Sequence, residues 1–171
     1  FIAINDKFDS ANIKNNDILS MQLKNIVNEI YSKDISKKVS SSLKSKRKNA
    51  QYLCTIPTYG YLKDTKNKGK VIVDEEASQV VKQIFNLRLQ YKSYNEILFN
   101  LESLNIDAPY KHFYNLGLFK TDKYANIKWN KQSINGILNN DFYIGKLTQG
   151  KTIQTISNNY KKIQLPKEQW V

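Results

Sequence analysis

The chain has 171 residues, with 27 Lys and Arg against 15 Asp and Glu, a net charge of +12 at pH 7. Its 40% hydrophobic content suffices for one ordinary domain or two small ones, and 25% charged residues exclude a greasy protein. No apolar run approaches the ~20 residues of a membrane span, no secretory signal pattern is present, and one Cys with one His gives neither an internal disulfide nor a classical zinc site. A cytoplasmic, reduced protein with no metal and no cofactor is expected.

A pI near 9.6 calls for an acidic partner, and nucleic acid is the commonest. A chain biased toward Asn and Lys can also acquire such charge without any function. Only Arg47 and Arg88 are arginines. Lysine is a point charge suited to phosphate, whereas arginine forks onto guanine. Backbone contact is therefore expected to outweigh arginine readout of bases.

The opening FIAIND reads as part of a buried strand, as in a piece cut from a longer chain. Residues 9–17 are turn-rich and end it. From Ile18 to about Lys48 there is neither Pro nor Gly, and Leu19, Leu23, Ile26, Ile30, Ile35, Val39 and Leu43 recur at the helical period. Such a helix would be ~45 Å long, more than a small globule covers, so its second half should project. That half carries Lys33, Lys37, Lys38, Lys44, Lys46, Arg47 and Lys48 against a single acid, Asp34. Like charges at helical spacing repel, and a polyanion would relieve them; a solvated helix face is the plain alternative. Ser40, Ser41 and Ser42 are small enough to let a duplex approach.

Between Cys54 and Asp74, TIPTYGYL and VIV flank the polar turn KDTKNKGK and predict a hairpin. Tyr59, Tyr61 and Lys63 on it are candidate DNA contacts. Asp74 should cap a helix with Glu75 and Glu76 in its first turn and Ala77, Val80, Val81, Ile84 and Phe85 inward. Ser93-Tyr-Asn-Glu96 matches a capping box and opens another helix, with Ile97, Leu98, Leu101 and Leu104 inward. Residues 105–128 read as a long connection rich in aromatics, among them Tyr110, Phe113, Tyr114, Phe119 and Tyr124. Asn130 should cap a short helix that buries Ile134, Ile137 and Leu138. DFYIGKLTQGKTIQTI reads as two short strands, with Lys146 and Lys151 as further candidate DNA contacts.

No residue set looks catalytic. There is no Gly-rich phosphate loop and no Ser/His/Asp set. His112 reads as a surface or packing residue, and Asp74, Glu75 and Glu76 as helix-start residues. A binding surface remains. The helices at 93–104 and 130–139 follow the order of a helix-turn-helix with the second as reader, although the loop between them is far longer than the usual turn. With Ile134, Ile137 and Leu138 inward, Lys131, Gln132, Ser133, Asn135 and Asn139 face outward or flank the core. Gln and Asn suit the N6/N7 edge of adenine, and Ser and Lys suit phosphate or base. An ordinary polar face fits the spacing nearly as well.

Taken together, FIAINDKFDS, NEIYSKDISKKVSSSLKSK, IPTYGY with VDEEASQVVKQIF, YNEILFNLESLNI and WNKQSINGILNNDFYIGKLTQGK resemble the large serine recombinases, the integrases and transposon resolvases of phages and mobile elements. The resemblance covers almost the whole chain. It implies the end of a catalytic domain and a long exit helix over 1–48, then a helical DNA-binding recombinase domain over 49–171. The fold class expected is mainly α with small β hairpins (α+β). The resemblance also implies serine attack on DNA phosphates, strand exchange in a tetramer, and religation without metal. The nucleophilic Ser and its arginine cluster would precede Phe1, so no catalytic residue is assigned here. Near the start of the exit helix, where small resolvases carry an arginine pair, this chain has only Lys37 and Lys38. A zinc ribbon, which normally follows in the family, is not represented. The implied partners are double-stranded DNA at an attachment or crossover site, and a second subunit along the long helix. No membrane is implied, and the location would be cytoplasmic and nucleoid-associated, for a bacterial or phage-encoded protein. A stand-alone helix-turn-helix regulator is the main rival, and an RNA-binding or membrane-surface basic protein is another.

Overall fold

A computed structural model describes residues 2–3, 8–9, 15–154 and 161–171. The chain divides into two units, Phe1–Lys46 and Arg47–Val171.

In the first unit, β1 (Ile2–Ala3) pairs antiparallel with β2 (Phe8–Asp9), Ile2 opposite Asp9 and Ala3 opposite Phe8. The opening strand thus finds its partner in Phe8 and Asp9, of which Asp9 falls in the segment read as turn-rich. Helix α1 (Asn15–Lys48) begins earlier than Ile18 and runs for 34 residues, about 51 Å at 1.5 Å per residue. Two i,i+4 pairs, Glu29–Lys33 at 2.6 Å and Asp34–Lys38 at 2.7 Å, support it. The acid precedes the base in both, the favourable order on a helix. All seven residues of the apolar repeat, Leu19 to Leu43, are exposed.

The second unit opens on a hairpin of β3 (Tyr61–Lys63) and β4 (Val71–Val73), with Leu62 opposite Ile72. Asp64 and Asn67 build its turn by accepting the Lys66 and Gly69 backbone N–H groups. Gly60 sits at φ +89, where an added Cβ would lie 3.3 Å from Val81 Cγ2. A side chain there would strain the backbone and press on Val81.

Helix α2 (Glu75–Leu89) starts at Asp74, whose Oδ1 accepts the Ala77 N–H at 3.2 Å. Helix α3 (Tyr94–Ser103) starts with the expected capping box. The Ser93 backbone N–H, the Ser93 hydroxyl and Lys92 hold the Glu96 carboxyl at about 2, below its ordinary 4.5. Helix α4 (Pro109–Asn115) occupies part of the segment expected to be a connection. Pro109 pre-sets φ for a first helical turn and needs no N–H partner there. A 3-10 turn (Asp122–Tyr124) follows, and α5 (Lys131–Leu138) is closed at its start by Asn130 and Ser133.

The expectation of two strands over 141–156 is corrected. Asp141–Ile144 is a 3-10 turn, with the Asn140 side chain accepting the Phe142 N–H and Gly145 ending it at φ +84. The strand after it, β5 (Thr152–Gln154), pairs instead with β6 (Lys162–Gln164). Residues 155 and 156 lie outside the described residues. The fold is mainly helical with small antiparallel hairpins, as expected.

Helices α2, α3 and α5 pack against one another. Ile84, Ile97, Leu101 and Ile134 are fully buried between them. Tyr59 lies edge-on to His112, Phe113 and Trp129 at one side of this core, and Trp129 Nε1 donates to the Ile106 carbonyl at 2.9 Å. Leu104, expected inward, is 56% exposed. It is the C-cap of α3, and Asn105 at φ +51 reverses the chain. Ile106 then donates its N–H to Leu101 and packs on the core in place of Leu104.

His112, read from sequence as a surface or packing residue, is buried with its Nε2 2.7 Å from Asp74 Oδ2. Asp74 therefore serves two elements, α2 through one oxygen and α4 through the other. Asp74→Ala removes both bonds and should cost about 1–3 kcal/mol. The readout is a lower urea midpoint at unchanged slope; a loss under about 0.5 kcal/mol would remove this pair from the account of stability.

Candidate nucleic-acid interface

Helix α5 has only two turns, and its orientation follows from its apolar face. Ile134 and Ile137 turn into α2 and α3, which leaves Lys131, Gln132, Asn135 and Asn139 exposed. Ser133 is committed locally. Its Oγ accepts the Asn130 N–H at 3.2 Å and donates to the Asn130 carbonyl at 2.7 Å.

Asn135 belongs to a network invisible in the sequence. Its Oδ1 accepts from Tyr94 Oη at 3.1 Å and from Asn139 Nδ2 at 2.9 Å. The Arg88 guanidinium lies 5.3 Å from the Tyr94 ring centroid, a cation–π stack, and Arg88 Nη1 donates to the Lys92 carbonyl at 3.0 Å. Arg88 and Tyr94 were not among the expected site residues. The only sequence signal for them was the rarity of arginine in this chain.

A second set gathers around residues 149–151. The buried Gln149 accepts the Leu53 N–H at 2.9 Å through Oε1 and donates from Nε2 to the Gln51 carbonyl at 2.8 Å. Its backbone exchanges hydrogen bonds with Val171. Arg47 lies against Gly150, where an added Cβ would sit 3.6 Å from Nη1. The Lys151 Nζ stands 5.1 Å from the Trp170 ring centroid. Lys146 and Lys151 line one shallow cleft with Tyr52, Thr58 and Asn140. The structure thus brings Arg47, Lys146 and Lys151 to one region from distant parts of the sequence.

The remaining candidates separate. Lys37, Lys38, Lys44, Lys46 and Lys48 are exposed on α1. Lys37, Lys44 and Lys48 share a face by helical spacing, and Lys38 is paired with Asp34. Tyr59 is a correction: at 6% exposure its ring is part of the core and not a surface contact. Its backbone carbonyl accepts the Tyr143 hydroxyl at 2.8 Å. Burial raises both phenols above the ordinary tyrosine range, so they remain neutral. Tyr61 is half-buried and edge-on to Phe142 at 4.9 Å. Lys63 is half-buried beside a groove formed by Pro57, Leu62, Leu116 and Leu118.

Among the described residues, no cluster of three His, Cys, Asp or Glu could hold a metal ion, and no helix is long and apolar enough to cross a membrane. Against known families, the one described as Recombinase matches residues 75–171. The chain belongs to the Recombinase family. Neither the curated proteins nor the solved structures give a match. The Recombinase segment starts at the first residue of α2 and includes α3, α5 and Gln149, whereas α1, the Gln149 partners at 51 and 53, and the β3–β4 hairpin precede it. Membership places the chain among site-specific recombinases.

Gln149 joins residues 51–53 to the last third of this segment through two hydrogen bonds to backbone groups. Gln149→Ala should cost about 1–3 kcal/mol, because both backbone groups lose their partner. Amide exchange at Leu53 should accelerate with it. Unchanged Leu53 protection in the variant would show that the bridge is not what holds residues 51–53.

Proposed function

We propose that this chain is the DNA-binding portion of a serine-type site-specific recombinase, of the integrase and transposon-resolvase kind. Residues 1–48 are then the end of the catalytic domain with its exit helix, and residues 49–171 are the recombinase domain. The enzyme to which it belongs would cut and rejoin DNA through a phosphoserine intermediate, with the catalytic serine outside this sequence. The apolar repeat of α1 would serve self-association or packing on the catalytic core.

One observation carries this reading. The polar face of α5, Lys131 with Gln132, Asn135 and Asn139, is free of core contacts because the opposite face is consumed by α2 and α3. A short helix held in that manner by two others can enter a major groove and present side chains to base edges. The pair α3 and α5 acts as the helix-turn-helix, with α4 inserted between them. The lysines near the end of α1, together with Arg47, Lys146 and Lys151, supply sequence-independent contact to phosphates.

Two measurements follow. Substituting Ala for Lys44, Lys46, Arg47 and Lys48 should weaken binding to every duplex. The salt dependence should flatten by roughly 0.9 in log–log slope per lost phosphate contact. An unchanged slope would remove these residues from the phosphate contacts. For base reading, Gln132→Ala should cost about 1–3 kcal/mol on the preferred half-site and little on scrambled DNA. Equal losses on both would mean that α5 does not read sequence.

A further inference from the structure

The outward side of α5 carries three carboxamides, Gln132, Asn135 and the C-cap Asn139, and the bonds around the last two fix which end of each faces outward. The Asn135 backbone carbonyl accepts from Asn139 Nδ2 at 2.9 Å. A carbonyl can only accept, so the nitrogen end of Asn139 must lie there. The same nitrogen is 2.9 Å from the Asn135 side chain, which must therefore turn its oxygen toward it. Tyr94 Oη lies 3.1 Å from that oxygen and donates to it. A carboxamide oxygen has two lone pairs, and Tyr94 and Asn139 occupy both. What Asn135 has left to offer a partner is its Nδ2, a donor only.

Tyr94 is itself fixed. It is the first residue of α3, behind the Ser93–Glu96 capping box, and its ring is covered by Arg88, which is tied to the Lys92 carbonyl. The donor is thus set by three helices, α2 through Arg88, α3 through Tyr94 and α5 through its C-cap, Asn139.

We infer that Tyr94 and Asn139 are positioning residues that make Asn135 a donor-only reader, selecting a G·C base pair over an A·T pair at the position it contacts. Reading adenine through N6 and N7 requires the asparagine oxygen to accept from N6 while its nitrogen donates to N7. That oxygen is already engaged. Guanine offers N7 and O6, two acceptors side by side, whereas adenine sets its N6 donor beside N7 and thymine its methyl beside O4, so a donor alone gains most at guanine. The adenine preference that the residue type suggests is thereby reversed by its neighbours. This inference rests on the proposed reading of DNA by α5.

Selection from a library of duplexes with randomised positions, using the full chain, tests it. The arms are wild type, Asn135→Ala, Tyr94→Phe, Asn139→Ala and Gln132→Ala. Asn135→Ala should flatten the preference at one base pair, where wild type enriches G·C over A·T by about tenfold. Tyr94→Phe keeps the ring and removes only the hydroxyl; it and Asn139→Ala should each bring that ratio toward unity, because the amide can then turn its oxygen outward. Enrichment of A·T by wild type at that pair would overturn the inference, as would a ratio unmoved by Tyr94→Phe. If Asn135→Ala alters no position, or lowers affinity equally for all, while Gln132→Ala alters one, the inference fails and base reading by α5 stands. If neither variant alters any position, base reading by α5 fails with it.

Discussion

Ile134 is fully shielded from solvent between α2 and α3, and that burial decides how α5 presents its polar side chains. Two helical turns have no stability of their own in water. Their geometry is borrowed from the packing of Ile134 and Ile137 and from the Asn130–Ser133 cap at the first turn. A rotation of α5 that exposed Ile134 would place apolar surface in water at about 25 cal/mol per Å². The outward direction of Gln132 and Asn135 is thus a consequence of the core. The same core is tied to the hairpin through Tyr59, whose carbonyl holds the Tyr143 hydroxyl.

The second constraint is polar. After α1 ends, the Gly69 carbonyl takes the Tyr52 N–H, and one buried carboxamide, Gln149, satisfies the Leu53 N–H and the Gln51 carbonyl. A side chain here does what a neighbouring strand would do elsewhere. It brings the segment that carries Lys146 and Lys151 next to Arg47, which lies against Gly150. On the proposed function, the charge that attracts a phosphate backbone and the helix that reads bases are therefore held by different interactions. The first is held by hydrogen bonds and the second by apolar packing.

The parts legible in the sequence were those encoded locally. Asp74, Ser93 with Glu96, and Asn130 each bond to backbone within three residues, so residue type and spacing sufficed to place three helix starts. The long α1 was legible from its period. Helix α4 was not, because Pro109 and the aromatics around it resemble a turn-rich connection, and its inward residues His112 and Phe113 are adjacent and not periodic. The 3-10 turn at 141–144 was read as a strand because Phe142, Tyr143 and Ile144 are all strand formers, while the Asn140 cap that bends them is a turn feature. Leu104 fits the α3 period, yet the chain reverses at Asn105 and gives its place to Ile106.

Of the candidate interface, the outward residues of α5 followed from its period, with Ser133 diverted into the cap. The aromatic turn was misleading at Tyr59, since a ring in a short motif looks like a contact until the core around it is known. The link from Tyr94 to Asn135 spans 41 residues, and no local pattern encodes it. Nor could the sequence bring Arg47 to Gly150, which depends on Gln149.

The most direct test of the central claim is lysine labelling of the full chain, free and bound to a duplex, read by mass spectrometry. Protection concentrated on Lys44, Lys46, Lys48, Lys131, Lys146 and Lys151 is the result predicted, with labelling as in the free chain at Lys82 of α2 and Lys120 after α4, both exposed and outside the proposed contacts. Protection spread evenly over all exposed lysines, or absent from Lys131 and Lys146, would contradict it.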